Sequence, residues 1–131
     1  MSQEPLLPVC TVLCIEDDPD VFALIQIILG MGSAVRVLGC SRGVEALDFV
    51  EAHPPDLILL DLRLPDLPGE EVLRQLKAQE CTRKIPVIVL SADLGTQLSA
   101  HLLELGATQC LKKPFGIAEF LEAIEAAADT V

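Results

Sequence analysis

Four short aliphatic runs in this chain end in residues whose side chains could do chemistry together. VLCI leads into Glu16-Asp17-Asp18, DLILL into Asp61, PVIVL into Ser91, and TQCL into Lys112-Lys113-Pro114. Gathered in one place, Glu16, Asp17 and Asp61 repel one another and push each other's pKa upward, so the cluster needs a compensating cation. An all-oxygen donor set suits a hard divalent ion, Mg²⁺ (or Mn²⁺), that keeps several of its waters. No His or Cys accompanies the acids, which speaks against zinc or a redox metal.

A divalent ion held by carboxylates, faced by a lysine and a hydroxyl, surrounds the oxygens of a phosphoryl group. Positioning and charge neutralisation are most of what phosphoryl transfer demands. Asp61 is the candidate nucleophile, forming an acyl phosphate.

The convergence of these residues depends on the fold. Aliphatic runs bounded by turn residues alternate with stretches of helical period, the pattern of successive βα units on a parallel sheet. Strands are expected at Val9–Ile15, Ala34–Gly39, Asp56–Leu60, Pro86–Leu90 and Thr108–Leu111, and helices at Pro19–Gly30, Arg42–Ala52, Gly69–Gln79, Leu94–Leu105 and Ile117–Ala128. DLILL and PVIVL are continuously apolar, as central strands covered on both faces must be, whereas AVRVLG carries Arg36 and TQCLKK is short and mixed. The latter two read as edges, which matches a flavodoxin-like doubly wound α/β sheet of five strands in the order 2-1-3-4-5 with five helices. In such sheets ligands bind beyond the carboxyl ends of the strands, where all the residues above fall.

Local signals agree with this reading. Asp18 is placed to cap the first helix, with Pro19 at its first position. Val21, Leu24, Ile25 and Ile28 form its expected buried stripe, and Ile117, Phe120, Leu121 and Ile124 that of the last helix. Gly32, Gly69 and Gly106 fall where helices stop or start. Residues 9–128 read as one domain, with 1–8 and 129–131 as loose ends.

Composition narrows the function. The net charge of −11 opposes binding to a phosphate backbone, and all nine basic residues lie outside the helical segments 18–31, 93–105 and 116–131. Direct nucleic-acid binding is therefore not expected, and a protein partner is. Five cysteines without CxxC spacing read as reduced thiols in a cytoplasmic protein. No apolar run approaches the ~20 residues needed to span a bilayer, and the start lacks a basic leader.

The motifs VLCIEDDPDV, PDLILLDLRLPDLPG, IPVIVLSAD and GATQCLKKPF, in this order and spacing, resemble the receiver domain family of two-component signalling over essentially the whole chain. The resemblance implies that Asp17 is a direct Mg²⁺ ligand, that Glu16 assists partly through water, and that the backbone carbonyl of Arg63 is a further ligand. It implies Asp61 as phosphoacceptor, Ser91 as the hydroxyl bonded to a phosphoryl oxygen, Lys113 as the pairing cation, and a cis Lys113–Pro114 peptide. It also implies a phosphohistidine of a histidine kinase or histidine phosphotransfer protein as donor, and a downstream protein as target. One departure stands out: the family commonly has Tyr or Phe three residues before this lysine, and here the residue is Cys110.

Plainer readings accompany the sharp ones. Asp17 and Asp61 could be turn carboxylates, Ser91 a helix cap, and Lys112 a surface residue. His53 and His101 read as solvent-facing without a partner. Between Val21 and Met31 only Gln26 is clearly polar, so the first helix has either a wide core face or a docking surface for a donor's helix. Helices four and five lack Lys and Arg, which disfavours a salt-bridged dimer there; a monomer or weak dimer is expected. Rivals to the switch are a nucleotide or flavin enzyme on the same fold, an aspartyl-phosphate phosphatase, an interaction scaffold with weak or lost switching, and a domain excised from a hybrid histidine kinase. The first of these is opposed by Glu-Asp-Asp-Pro after the first run, where a phosphate-cradling loop would need backbone donors.

Overall fold

The computed structural model describes residues 10–31 and 35–128. The expected ends at 1–8 and 129–131, and the positions Val9, Gly32 and Ala34, lie outside the described residues. In chain order the elements are β1 (Cys10–Ile15), α1 (Pro19–Gly30), β2 (Val35–Cys40), α2 (Gly43–Ala52), β3 (Leu57–Asp61), α3 (Gly69–Ala78), β4 (Val87–Ser91), α4 (Thr96–Glu104), β5 (Gln109–Lys112) and α5 (Ile117–Ala128). The strands form one parallel sheet in the order β2-β1-β3-β4-β5.

Burial follows that order. Every residue of β3 and β4 is buried, whereas Arg36 of β2 and Lys112 of β5 are exposed at the sheet edges. Two aliphatic clusters cover the two faces. One packs Leu13, Ile58, Leu60 and Val89 against Ala46, Val50, Val72, Leu73, Leu76 and Leu102 of α2, α3 and α4. The other packs Val12, Leu59, Ile88 and Leu90 against Ile25, Ile28 and Leu29 of α1 and Phe120, Ala123 and Ala127 of α5. Fully burying each large aliphatic side chain contributes ~1.5–3 kcal/mol, so the sheet is a stiff base for its carboxyl-end loops.

Three expectations are corrected. The β3 and β4 strands run one residue further than the apolar pattern indicated, because Asp61 pairs with Leu90 and Ser91 with Lys112 across the ladder. Leu24 is 45% exposed, and Leu29 takes its place in the buried stripe of α1. In α5, Ile117 and Leu121 are exposed (52% and 38%), while Ala123 and Ala127 join Phe120 inside. In both helices the buried face is therefore rotated from the simple apolar stripe, and in α5 small alanines share it with Phe120.

Helix ends are made as their residues demand. The Asp18 carboxylate accepts from the Asp20 N–H at 2.9 Å, with Pro19 following. At the other end of the fold, α4 closes on Gly106, whose φ of 114° only glycine adopts without strain. The Gly106 N–H donates to the Leu103 carbonyl and the Ala107 N–H to the Leu102 carbonyl, each at 3.0 Å, the bonding of a Schellman motif.

Candidate functional site

Parallel strands deliver Glu16, Asp17 and Asp61 to the same end of neighbouring β1 and β3, with one carboxylate oxygen from each lying within 4.8 Å of the others. Glu16 and Asp61 are buried, and Asp17 is exposed. Lys113, just past β5, reaches over β4 into this cluster. Its ammonium donates to Glu16 Oε1 at 2.8 Å and stands 3.5 Å from Asp61 Oδ2. The second Glu16 oxygen accepts from the Asp18 N–H at 3.2 Å, and Asp61 Oδ1 accepts from the Arg63 N–H at 3.2 Å. Each buried carboxylate is therefore held from two sides.

Electrostatics explain the tension in the cluster. Burial, reinforced by the adjoining Asp61 carboxyl and only partly offset by Lys113, pushes the Glu16 carboxyl up to about 7. Burial pulls the Lys113 ammonium down, but its contact with Glu16 and the charges of Asp61 and Glu16 outweigh that and raise it. One ammonium thus serves two carboxylates, and a third carboxylate stands beside them. The donor set is all oxygen, with one exposed member, which fits a hard divalent cation open to solvent on one side.

Ser91 is the last residue of β4 and is buried, with its hydroxyl accepting from the Asp93 N–H at 3.3 Å. It does not cap α4, whose N-cap is Gly95. Arg63 lies two residues beyond Asp61 in the loop before α3, and its side chain forms an ion pair with Asp93. The Lys113–Pro114 peptide is cis. Cys110 is half-buried in β5 against the α4 side of the core, and burial raises its thiol. All five cysteines are free.

Gly69 brings α3 hard against the acceptor strand. A Cβ built there would lie 2.5 Å from both the Asp61 carbonyl oxygen and Leu62 Cα, so only glycine permits this approach. Among the features that sequence reasoning missed is Asp66: it accepts from the Gly43 and Val44 N–H groups of α2 at 2.8 and 2.9 Å. No local signal announced these contacts, because the partners are 22 and 23 residues apart. The Arg63–Asp93 pair was equally invisible. His101 is corrected in turn: it is exposed but meets Glu70 of α3 at 3.1 Å, while His53 packs beside the Phe49 ring at 5.2 Å. Lys112 is exposed, as expected of a surface residue.

A groove of about 290 Å³ lined by Val21, Leu24, Ala92, Lys113, Pro114 and Phe115 opens beside the lysine. On the neighbouring surface of α1, Leu24, Ile27 and Met31 are exposed (45%, 63% and 61%). The first helix therefore carries both a core face and an exposed apolar one. No helix among the described residues is long and apolar enough to cross a membrane.

Comparison with known proteins agrees with this fold. The family model described as the response regulator receiver domain matches residues 12–125. The transcriptional regulatory protein KdpE of Mycobacterium tuberculosis is 39% identical over 116 residues, which are 88% of this chain and 50% of that protein. The chain thus spans about half the length of that relative. The polar-differentiation response regulator DivK of Brucella ovis is 36% identical over 93 residues, 71% of this chain and 76% of DivK. Among solved structures, the receiver domain of the sensor histidine kinase PA1611 from Pseudomonas aeruginosa, crystallised with a magnesium ion in its active site cleft, superposes with a TM-score of 0.82. It is 31% identical, and the match covers 93% of this chain and 99% of that one. The chain belongs to the response regulator receiver domain family, the phosphoacceptor domains of two-component systems.

Proposed function

We propose that Asp61 accepts the phosphoryl group, with Glu16, Asp17, Asp61 and the Arg63 backbone carbonyl holding Mg²⁺ (or Mn²⁺), and with Ser91 and Lys113 binding phosphoryl oxygens. The observation that carries this reading is the Lys113 ammonium set against both Glu16 and Asp61, in a cluster that Asp17 completes. The metal supplies neutralisation of the charge gathered on the phosphoryl oxygens. The chain's own groups do the rest. Asp61 Oδ attacks the phosphorus of a phosphohistidine, the P–N bond breaks, and the imidazole leaves with its electron pair. Lys113 keeps a positive charge on the acceptor side throughout, since its contacts with Glu16 and Asp61 hold its proton.

The donor is a histidine kinase or histidine phosphotransfer protein. Its helix docks on the apolar face of α1 and in the groove that Val21, Leu24, Pro114 and Phe115 line beside Lys113. The domain catalyses only its own phosphorylation and dephosphorylation, works as a monomer or weak dimer in the cytoplasm, and signals to a downstream protein. Switching follows from differential contacts: Ser91 and Lys113 gain partners only when the phosphoryl group is present, which biases the loop after β4 and the end of β5 toward a second arrangement.

Incubation with acetyl phosphate and Mg²⁺, read by intact mass, tests the proposal. One phosphoryl unit is expected on the wild type and none on Asp61→Asn or in chelator. A wild type that stays unmodified favours the scaffold reading. Turnover of added phosphomonoesters favours a phosphatase.

A further inference from the structure

The loop 62–68 that follows the acceptor aspartate is closed at its base and tethered at its tip. At the base the Gly69 N–H donates to the Leu62 carbonyl at 2.9 Å, and Arg63 and Pro68 form an antiparallel bridge. At the tip both carboxylate oxygens of Asp66 are engaged, Oδ1 by the Gly43 N–H at 2.8 Å and Oδ2 by the Val44 N–H at 2.9 Å. These amides belong to the first turn of α2, where backbone donors have no partner within the helix. The α2 N-cap residue, Arg42, makes no side-chain capping bond. The cap of α2 is therefore supplied from the acceptor loop, across 23 residues of chain.

Packing reinforces the tie. A Cβ on Gly43 would lie 2.8 Å from Val72 Cγ2 and 3.2 Å from Leu67 Cβ, so the start of α2 sits directly on the loop and on α3. On its other side the same loop is joined to the segment after Ser91 by the Arg63–Asp93 pair. The beginning of α2, through Glu45, also lines a cavity of about 350 Å³ together with Glu16, Asp17 and Ser41.

We propose that Asp66 is a positioning residue that couples the acceptor loop to α2, so that the first turn of α2 responds to the state of Asp61. This rests on the phosphoacceptor reading above. A carboxylate bound to two consecutive amides cannot shift with its loop unless the amides follow or the bonds break. Either event alters the environment of Gly43 and Val44, far along the chain from the chemistry. The responding surface is the exposed side of the first turn, where Val44 (51% exposed) and Glu45 face solvent.

Amide chemical shifts of ¹⁵N-labelled protein, recorded with Mg²⁺ before and after addition of beryllofluoride as a phosphoryl mimic, test the coupling. In the wild type the Gly43 and Val44 amides are expected to move together with those of Arg63 and Leu64. In Asp66→Ala their response is lost while Ser91 and Lys113 still respond, and Asp66→Asn, which keeps one acceptor oxygen, restores part of it. Unchanged β3 and β4 amides in both variants show that the fold is intact. Gly43 and Val44 standing still in a wild type whose Ser91 and Lys113 move overturns the coupling alone. So does an equal response in Asp66→Ala. Ser91 and Lys113 standing still in the wild type overturns the phosphoacceptor reading, and the coupling with it.

Discussion

Magnesium binding to this domain is expected to depend on pH through one group, Glu16. Its carboxyl is buried beside Asp61 and pushed up to about 7, whereas a metal ligand must be deprotonated. Binding below neutrality therefore expels a proton. With one such proton, apparent affinity falls below its alkaline limit by a factor of 1 + 10^(7 − pH): about twofold at pH 7, about tenfold at pH 6 and about a hundredfold at pH 5. The chain has no Trp or Tyr, so calorimetry replaces the usual fluorescence titration. Titrations in buffers of different ionisation enthalpy count protons directly, and nearly one per Mg²⁺ is expected at pH 6 against nearly none at pH 8. Glu16→Gln removes the proton, flattens the acidic limb and weakens binding at pH 8. A dissociation constant that is flat from pH 5 to 8, or no proton released at pH 6, refutes the assignment of Glu16 to the ion's shell.

The same group governs the stability of the metal-free domain. Its folded pKa lies above its ordinary value of 4.5, so the folded state binds this proton more tightly than the unfolded chain does. The contribution is fully present below about pH 4.5 and is lost as pH rises through 7, at most about 3 kcal/mol; urea denaturation of wild type against Glu16→Gln across that window isolates it. Gly106→Ala forces a side chain into φ of 114° and against Lys77 Cγ at 2.7 Å, and a loss of about 1–3 kcal/mol in the same denaturation is expected. Gly69→Ala drives a methyl onto the Asp61 backbone, displacing the acceptor; phosphorylation by acetyl phosphate is expected to slow roughly ten- to a hundredfold in a rate assay by mass, while the protein still folds. Phe120→Ala, at a fully buried position between α5 and the sheet, lowers stability by about 3–5 kcal/mol in a melt.

Much of the site was legible because parallel strands make sequence order into spatial order. Once the runs ending at Ile15, Leu60, Leu90 and Leu111 are read as parallel neighbours, Glu16, Asp61, Ser91 and Lys113 must share one end of the sheet. The strand order itself followed from apolarity, since the two central strands have no solvent face to encode. Side-chain facing on α1 and α5 was less legible. An aliphatic stripe at i, i+3, i+4 can be satisfied by adjacent rotations of the helix, and neither Leu24 nor Leu121 carries a charge that forbids the wrong one. Contacts between loops were invisible. Asp66 reads locally as an ordinary turn residue, and only the packing of α2 on Leu67 and Val72 brings its carboxylate under Gly43 and Val44. The tie of Arg63 to Asp93 and that of Glu70 to His101 likewise depend on how neighbouring segments at the surface settle, which no periodicity records.

The identity of the acceptor atom can be measured directly. Borohydride reduces an acyl phosphate to an alcohol and releases the phosphate, so an aspartyl phosphate is converted into homoserine. Treating the protein with acetyl phosphate and Mg²⁺, reducing it, and sequencing its peptides by mass spectrometry is predicted to show homoserine at position 61, dependent on Mg²⁺ and on Lys113. Homoserine at position 17 or 18 instead, or none anywhere, contradicts the account.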